Sequence, residues 1–418
     1  MAEFGKVWQV SAALLVALAL GACHHAVSGD SAAMRAAADP AAQFDQLEVL
    51  RAADQAGFEQ VLAPHDFEFP QDHGPHPGFR QEWWYVTGHL RAADGEQFGF
   101  ELTFFRVSLR PAPAAGSEVP AGASAWRTRQ VYAAHFAITD VSRKRFFNAA
   151  RYARDALGLA GAQAEPFAVH VNDWSLGQAP GSAQPAAPPL DWRLQAADGD
   201  YRLQLALRTQ QTPVLNGDAG LSRKAAGPGA ASYYYSMPRL QASGSLTREG
   251  RTLPVAGLAW LDREWGSGSL GAQQQGWDWF ALDLDDGSAI MFYALRDRDG
   301  RRDVHSAGTY VDAAGHASAL GSDDVLIEVL RHWDSPRGGR YPAQWNLRIK
   351  SQDLQLQLTP VLADQELSTR PRYWEGAVRV TGRRGAAAVS AQGYVELVGY
   401  AQTQASPMRP SATAPPTH

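Results

Sequence analysis

The segment from Trp260 to Trp265 places two carboxylic acids in an aromatic setting, where they could perform acid catalysis. Its residues, Trp-Leu-Asp-Arg-Glu-Trp, favour a β-strand, in which alternate side chains lie on opposite faces. Asp262 and Glu264 would therefore share one face with Trp260. Burial in an apolar setting raises the pKa of a carboxylic acid, so the acid can keep its proton at neutral pH. Asp262 and Glu264 are thus our candidate catalytic acids.

A protonated acid of this kind suits the hydration of an unactivated C=C bond. The acid protonates the alkene, aromatic faces stabilise the carbocation, and water then adds to it. An alternative interpretation is that Arg263 forms ion pairs with both carboxylates and holds one domain against another. The aromatic residues that we expect to line the pocket and bind its ligand are Trp83, Trp84, Tyr85, Trp260, Trp265, Trp277, Trp279 and Tyr293.

Several of these aromatics need a strand to position them, and the stretch from Gly78 to Gly88, GFRQEWWYVTG, predicts one. Alternation would place Trp83 and Tyr85 on one face and Trp84 on the other. A strand that is aromatic on both faces suits a barrel wall between an interior and a covering layer.

Other charged residues near this strand have structural explanations. Glu82 is expected to pair with Arg80 or Arg106, because a buried charge needs a partner. The segment from Asp72 to His76 contains ligand types that suit zinc or iron, but its prolines predict an extended loop without helical ligand spacing. We therefore predict no metal site and no cofactor.

Composition favours a β-rich protein of two domains. A chain of 418 residues is long enough for two domains, and its 13 Trp, 39 Gly and 25 Pro are typical of strands joined by many turns. The net charge of -5 and the absence of a long Lys/Arg run exclude a nucleic-acid binder.

An internal repeat predicts that the two domains are similar. The stretch WWYVTGHLRAADGEQFGFELTFFR, which begins at Trp83, aligns with WDWFALDLDDGSAIMFYALRD, which begins at Trp277, if two residues are removed before the Asp-Gly turn. Tyr85 then matches Trp279. Because aromatic spacing, turn dipeptide and following strand agree together, two tandem β-domains are favoured over one large sheet.

The N-terminus has the pattern of a secretory signal. Lys6 precedes an apolar run from Ser11 to Leu20, which is too short to span a membrane and ends in Leu-Gly-Ala-Cys. This ending resembles the bacterial lipobox, in which the cysteine receives the lipid, so Cys23 is the predicted lipidation site. His24 follows Cys23, which by resemblance to other Gram-negative lipoproteins favours the outer membrane. Acyl chains would then anchor the mature protein.

Three segments resemble the secreted AttH / hydroxyneurosporene synthase family: FPQDHGPHPGFRQEWWYVTGHL (Phe69 to Leu90), YYYSMPRL (Tyr233 to Leu240) and GLAWLDREWGSG (Gly257 to Gly268). The resemblance spans roughly Val61 to Gln402 and implies an all-β fold of two tandem lipocalin-like β-barrels. The expected division is a signal peptide at 1–22, a tether and short helix at 23–60, the first barrel at 61–231, the second at 232–404 and a disordered tail at 405–418.

The family offers two functions of different kinds. It includes carotenoid 1,2-hydratases, relatives that catalyse cyclisations, and lipoproteins encoded with transporter components. The main hypothesis is a periplasm-facing outer-membrane lipoprotein that binds an elongated apolar ligand, a lipid or isoprenoid, in a barrel cavity and works with ABC transporter components. The alternative is a cofactor-independent hydratase or lyase that uses a buried carboxylic acid. A serine hydrolase is not expected, because the chain has no Gly-x-Ser-x-Gly motif. An assembly protein with packed cavities is the third hypothesis.

Overall fold

The computed structural model describes residues 55–112, 124, 127–182, 188–268 and 270–401. Within these ranges the chain forms strands and two short 3-10 turns, Gln71–His73 and Lys350–Gln352. No helix in the described part of the chain has the length and apolar character needed to cross a membrane. The predicted signal peptide, Cys23, the C-terminal tail and nearly all of the predicted short helix lie outside the described residues.

The first sheet has thirteen antiparallel strands and forms the first barrel. Eleven of them follow the order β4-β3-β2-β1-β13-β12-β9-β8-β7-β6-β5, and β10 and β11 pair with β12. In chain order the strands are β1 (Gln81–Ala92), β2 (Gln97–Ser108), β3 (Gln130–Asp140), β4 (Arg145–Arg154), β5 (Ala160–Gln163), β6 (Ala168–Val171), β7 (Trp174–Gln178), β8 (Leu190–Asp198), β9 (Tyr201–Thr209), β10 (Val214–Leu215), β11 (Leu221–Arg223), β12 (Ala231–Arg248) and β13 (Arg251–Gly268).

The second sheet has ten strands and forms the second barrel. Nine follow the order β17-β16-β15-β14-β23-β22-β20-β19-β18, and β21 pairs with β22. The strands are β14 (Gln274–Leu284), β15 (Ala289–Asp297), β16 (Ala307–Val311), β17 (Ala317–Leu320), β18 (Val325–Asp334), β19 (Arg340–Ile349), β20 (Leu354–Pro360), β21 (Glu366–Leu367), β22 (Tyr373–Arg384) and β23 (Ala387–Val398).

The two sheets have similar strand orders, although the first has three strands more, and together they confirm the predicted fold of two tandem lipocalin-like barrels. Each starts with a meander of four strands, β1 to β4 and β14 to β17, and in each the last strand returns to pair with the first. Trp83 lies in β1 and Trp277 in β14, so the two copies of the repeated hairpin occupy equivalent places in different sheets.

The boundary between the barrels differs from the predicted one. β12 and β13 belong to the first sheet, and the second sheet begins at Gln274, so the boundary lies between Gly268 and Gln274 rather than between 231 and 232. The reason is the returning strand: β13 pairs with β1 over the whole length of β1, so residues 232–268 complete the first barrel.

Large side chains fill both barrels. Trp84 and Trp265 are buried in the core of the first barrel, and Trp345 and Trp374 in that of the second. A third apolar cluster, which includes Tyr85 and Trp279, lies between the sheets. The cavity that the predicted site residues line is bounded by residues of both sheets, so it lies between the barrels, whereas a cavity inside one barrel was expected.

Candidate active site

A cavity of about 650 Å³, which includes space open to solvent, lies where the outer faces of the two barrels meet. β1 and β13 of the first barrel and β14 and β23 of the second contribute to its wall, and Lys224 comes from the loop after β11. Of the predicted site residues, those that line the cavity are Trp83, Tyr85, Asp262, Glu264, Trp277, Trp279 and Tyr293.

Three of the predicted ligand-binding aromatics do not line the cavity. Trp84 and Trp265 point into the core of the first barrel, because each is one residue out of phase with the side chains that face the cavity. Trp260 is buried behind Asp262, where its indole Nε1 donates a hydrogen bond of 2.7 Å to Asp262 Oδ1. The prediction is therefore wrong for Trp84 and Trp265, and Trp260 lies behind the cavity wall, in contact with Asp262 and Trp279.

Asp262 is a buried carboxyl group surrounded by donors. Ser236 Oγ donates to Oδ1 at 2.6 Å, the Tyr234 hydroxyl donates to Oδ2, and the Trp260 indole is the third donor. Burial raises the pKa of Asp262 to about 6, although these three hydrogen bonds favour the carboxylate. The group can therefore both accept and release a proton near neutral pH.

Glu264 has a different environment, because it forms an ion pair with Lys224. The Lys224 Nζ to Glu264 Oε1 distance is 3.2 Å, and the Ser232 hydroxyl donates to the same oxygen. Burial lowers the pKa of Lys224, but Glu264 outweighs it and keeps the ammonium charged. Lys224 also lies 3.7 Å from the centre of the Tyr293 ring. Glu264 thus anchors a cation, which leaves Asp262 as the better candidate for proton transfer.

Glu396 is a third carboxyl group of the cavity, and sequence analysis missed it. The Trp277 indole Nε1 donates a hydrogen bond of 2.6 Å to Glu396 Oε2. Burial, together with the nearby Asp262 and Glu264, raises the pKa of Glu396 to about 7. Lys224 was missed as well, because nothing in its local sequence marks a cavity residue.

The internal repeat, combined with the strand pairings of the structure, relates Glu396 to Asp262. In the first barrel Asp262 lies opposite Tyr85 in the β1–β13 pairing, and in the second Glu396 lies opposite Trp279 in the β14–β23 pairing. Because Tyr85 matches Trp279 in the repeat, Asp262 and Glu396 occupy equivalent positions. The rings of Tyr85 and Trp279 touch edge to face, with centroids 4.9 Å apart, so the two barrels present matching acids to one shared space.

Glu82 and Arg263 belong to a separate buried network inside the first barrel. Glu82 forms ion pairs with Arg106 and Arg263, and all three side chains have no exposed surface. Burial opposes ionisation of Glu82, but the two guanidinium groups outweigh it and hold its pKa well below the usual range. The predicted pairing with Arg106 is confirmed. Arg263 pairs with Glu82 rather than with Asp262 and Glu264, because odd-numbered residues in this part of β13 face inward.

The histidines that follow Asp72, His73 and His76, form contacts with buried side chains in the same region. His76 Nε2 lies 3.0 Å from Asp72, its Nδ1 lies 3.2 Å from Glu82, and its ring stacks on Trp265 at 3.8 Å. His73 Nδ1 is 2.7 Å from the Tyr235 hydroxyl. In the described ranges no group of three or more His, Cys, Asp and Glu side chains is arranged to hold a metal ion.

The fold and site define a class: a two-barrel β-protein with an aromatic cavity, containing several carboxyl groups, between its barrels. The chain belongs to the AttH-like family, whose model matches residues 60–400. It is similar to the crystal structure of an AttH-type protein from Nitrosomonas europaea, with 35% identity, a TM-score of 0.70 and coverage of 82% of this chain and 100% of that one.

Two relatives carry names that describe an activity. Kievitone hydratase from Nectria haematococca shares the fold, with a TM-score of 0.61 at 16% identity over 82% of this chain and 96% of that one. Dehydratase AsqC from Emericella nidulans is 24% identical over 221 residues, which are 49% of this chain. The matched region spans 60% of the length of AsqC.

Proposed function

We propose that this protein is a cofactor-independent hydratase or dehydratase that acts on an apolar substrate in the cavity between its barrels. The observation that carries the proposal is the placement of Asp262 and Glu396, whose pKa values are raised to about 6 and about 7, on one aromatic-lined cavity. Acid-base catalysis is most effective when the pKa of the group lies near the working pH. The names of two relatives, a hydratase and a dehydratase, support the same reaction type.

The two carboxyl groups have different catalytic roles, because their surroundings differ. Asp262 accepts three hydrogen bonds and is the more readily ionised, so it acts as the base that takes a proton from water. Glu396 accepts one hydrogen bond, from the Trp277 indole, and holds its proton more strongly than Asp262 does. It therefore acts as the acid that protonates the alkene carbon. Dehydration runs the same steps in reverse: Asp262 gives its proton to the leaving hydroxyl group, and the Glu396 carboxylate takes a proton from carbon.

The charge of the cavity favours a reaction through positive charge on carbon. Three carboxyl groups face one ammonium, and that ammonium is paired with Glu264. Indole and phenol rings supply much of the rest of the wall, and their faces attract a cation. A branched alkene or a tertiary alcohol on an apolar skeleton, whose carbocation is comparatively stable, is therefore the substrate class we propose.

A pure carrier explains the cavity less well. Burial of carboxyl groups is costly and contributes nothing to the binding of an apolar ligand. Anchoring through Cys23, an outer-membrane location facing the periplasm and ABC transporter partners remain proposals that are compatible with an enzyme.

Exchange of oxygen isotopes tests the reaction with model alcohols in place of the natural substrate. Apolar tertiary alcohols of different chain lengths are incubated with the protein in water enriched in oxygen-18, and the alcohols are analysed by mass spectrometry. A hydratase that works in both directions exchanges the hydroxyl oxygen even where little alkene accumulates. A panel in which no alcohol exchanges faster than without protein contradicts the proposal.

The rate of this exchange should depend on pH with a maximum between about 6 and 7. The active form has one proton on the two carboxyl groups, so activity rises as Asp262 ionises near pH 6 and falls as Glu396 loses its proton near pH 7. Initial rates measured from pH 4 to pH 9 check this. An oxygen-exchange rate that rises steadily up to pH 9 would exclude a catalytic acid with a pKa of about 7.

A positively charged analogue should bind more tightly than its neutral counterpart. We expect an N,N-dimethylalkylamine, charged at neutral pH, to bind at least about tenfold more tightly than the tertiary alcohol of the same shape, because it mimics the carbocation. Isothermal titration calorimetry at pH 7 measures both affinities. The double variant Asp262→Asn/Glu396→Gln is the control, and it should lose most of the preference. Equal affinities in the wild-type protein argue against a cationic transition state.

A further inference from the structure

A second pair of acids, Glu101 and Glu375, lies behind the cavity wall where the barrels meet. Glu101 is on β2 of the first barrel and Glu375 on β22 of the second, and both are buried. We call them the interface pair. Neither lines the cavity, and the reaction proposed above does not use them.

The hydrogen bonds of the interface pair come from neutral groups. The Tyr85 hydroxyl donates to Glu375 Oε1, and Thr103 Oγ1 donates to Glu101 Oε1 at 2.9 Å. The Tyr373 hydroxyl lies 3.4 Å from the same Glu101 oxygen. The second oxygen, Oε2, of each carboxyl group is buried and has no donor among the described residues. Two carboxyl groups in this situation keep a proton, because a protonated acid needs fewer donors than a carboxylate.

The surrounding charges lead to the same conclusion. Burial and the nearby Glu396 raise the pKa of Glu101 to about 8, and burial with Glu101 raises that of Glu375 well above its ordinary value. Burial also lowers the pKa of His135 to about 3, so this histidine is neutral at pH 7. The described titratable groups that face the pair, none of them positively charged at pH 7, are Tyr85, His135, Tyr373, Tyr394 and Glu396.

Two side chains connect the interface pair with the cavity. Tyr85 lines the cavity and its hydroxyl reaches Glu375. Glu396 also lines the cavity, and it lies directly opposite Glu375 in the β22–β23 pairing. Side chains opposite each other in an antiparallel pair have Cβ atoms about 5 Å apart. Glu375 is thus in contact with Tyr85 and directly opposite Glu396, which places acid pair, phenol and catalytic acid side by side behind the cavity wall.

A hydratase needs such a connection. In each hydration Glu396 gives its proton to carbon and Asp262 takes a proton from water, so the two groups must be reset before the next turnover. An apolar molecule that fills the cavity would limit their exchange with bulk water.

We propose that Tyr85 and the interface pair form a proton-transfer line that restores the proton of Glu396; this inference rests on the proposed function. The Tyr85 hydroxyl, which donates to Glu375 in the structure, first turns toward the Glu396 carboxylate. Glu375 then passes its O–H proton to the Tyr85 oxygen while the Tyr85 hydroxyl proton moves to Glu396. The interface pair then carries one proton less. When product leaves and water enters the cavity, Asp262 releases its proton to that water and the interface pair takes one proton from it through Tyr85, so protons balance over the cycle. Tyr85 is the catalytic residue of this line, and Glu375 and Glu101 act through it.

A purely structural role for the pair predicts different results from the same variants. Gln has the shape of a protonated Glu and keeps its hydrogen bonds, but it cannot release a proton. A structural role is therefore preserved in Glu375→Gln, whereas a proton-transfer role is lost. The second variant, Tyr85→Phe, keeps the ring in the cavity wall and removes only the hydroxyl group.

The test uses oxygen-18 exchange on the tertiary alcohol that the wild-type protein exchanges fastest. We expect Glu375→Gln and Tyr85→Phe each to lower kcat about a hundredfold, with KM changed less than about threefold, and to change the solvent deuterium isotope effect on kcat. The control is Tyr235→Phe, which removes a buried hydroxyl group in the first barrel away from the cavity and should keep kcat within about twofold of wild type. If both test variants turn over at the wild-type rate, the line is overturned and the proposed function stands.

Infrared spectroscopy gives a readout that does not depend on turnover. The carbonyl bands of protonated carboxylic acids should be present at pH 7, lose the component of the substituted acid in Glu375→Gln or Glu101→Gln, and shift in Tyr85→Phe, because the Tyr85 hydroxyl donates to Glu375. A band that is absent, or that Tyr85→Phe leaves unmoved, overturns the line whatever the exchange rates. Failure of the wild-type protein to exchange oxygen with any alcohol would instead overturn the proposed function, and the line with it.

Discussion

Asp262→Asn is expected to lower the rate of oxygen exchange by about 10²- to 10⁴-fold, which is the usual contribution of a general acid or base. Asn is close to Asp in shape and can still accept the hydrogen bonds from Ser236 and Trp260, but it cannot take a proton. Binding of a neutral apolar alcohol should change less than about threefold, because the cavity keeps its aromatic wall. Exchange rates and calorimetric affinities measured on the same preparation separate the two effects.

The matched control for this variant is Asp283→Asn. Asp283 lies on β14, burial raises its pKa to about 7, and it is outside the cavity. If a raised pKa were enough to make an acid catalytic, both variants would lose activity, whereas our proposal predicts loss only for Asp262. Full exchange by Asp262→Asn would remove the basis of the proposed mechanism.

Glu82→Gln should lower the free energy of unfolding by about 3–5 kcal/mol. The substitution leaves Arg106 and Arg263 buried without their shared carboxylate, and removal of one member of a buried ion pair carries a cost of this size. The Glu82 carboxylate also accepts a hydrogen bond from the backbone N–H of His76, which lies in the segment leading into β1. Equilibrium urea unfolding, monitored by tryptophan fluorescence, measures the change through the midpoint and the slope.

Glu249→Gln provides the comparison at the surface. Glu249 also contacts two arginines, Arg143 and Arg145, but its side chain is 46% exposed, so solvent screens the ion pairs and we expect a much smaller change in the free energy of unfolding than in Glu82→Gln. Similar effects of the two substitutions would mean that the buried network contributes no more than a solvated ion pair. The prediction for Glu82 would then be wrong.

Several features could be predicted from the sequence because they depend on neighbouring residues. The hairpin that begins at Trp83 is repeated at Trp277, and this repeat predicted two similar β-domains in tandem, which the two sheets confirm. Period-two alternation placed Asp262 and Glu264 on one face, and both line the cavity. A buried charge needs a partner, which predicted that Glu82 pairs with Arg80 or Arg106, and the structure shows Arg106.

Other features depend on which distant segments meet. Alternation defines two faces of a strand, but it does not say which face fills the barrel and which meets the second barrel, so Trp84 and Trp265 were assigned to the wrong side. The boundary between the barrels was misplaced because β13 pairs with β1, about 170 residues earlier in the chain, and no local pattern records that pairing. The same holds for the interface pair, whose members come from different barrels.

The sequence by itself therefore determined the strands, their repetition and the faces on which the first barrel's acids lie, since these follow from backbone geometry over a few residues. Only the tertiary structure decided that the cavity lies between the barrels, that Glu396 completes it and that Glu264 is paired with Lys224. These outcomes depend on how two similar barrels dock, and docking is set by the fit of whole surfaces that are assembled from segments far apart in the chain.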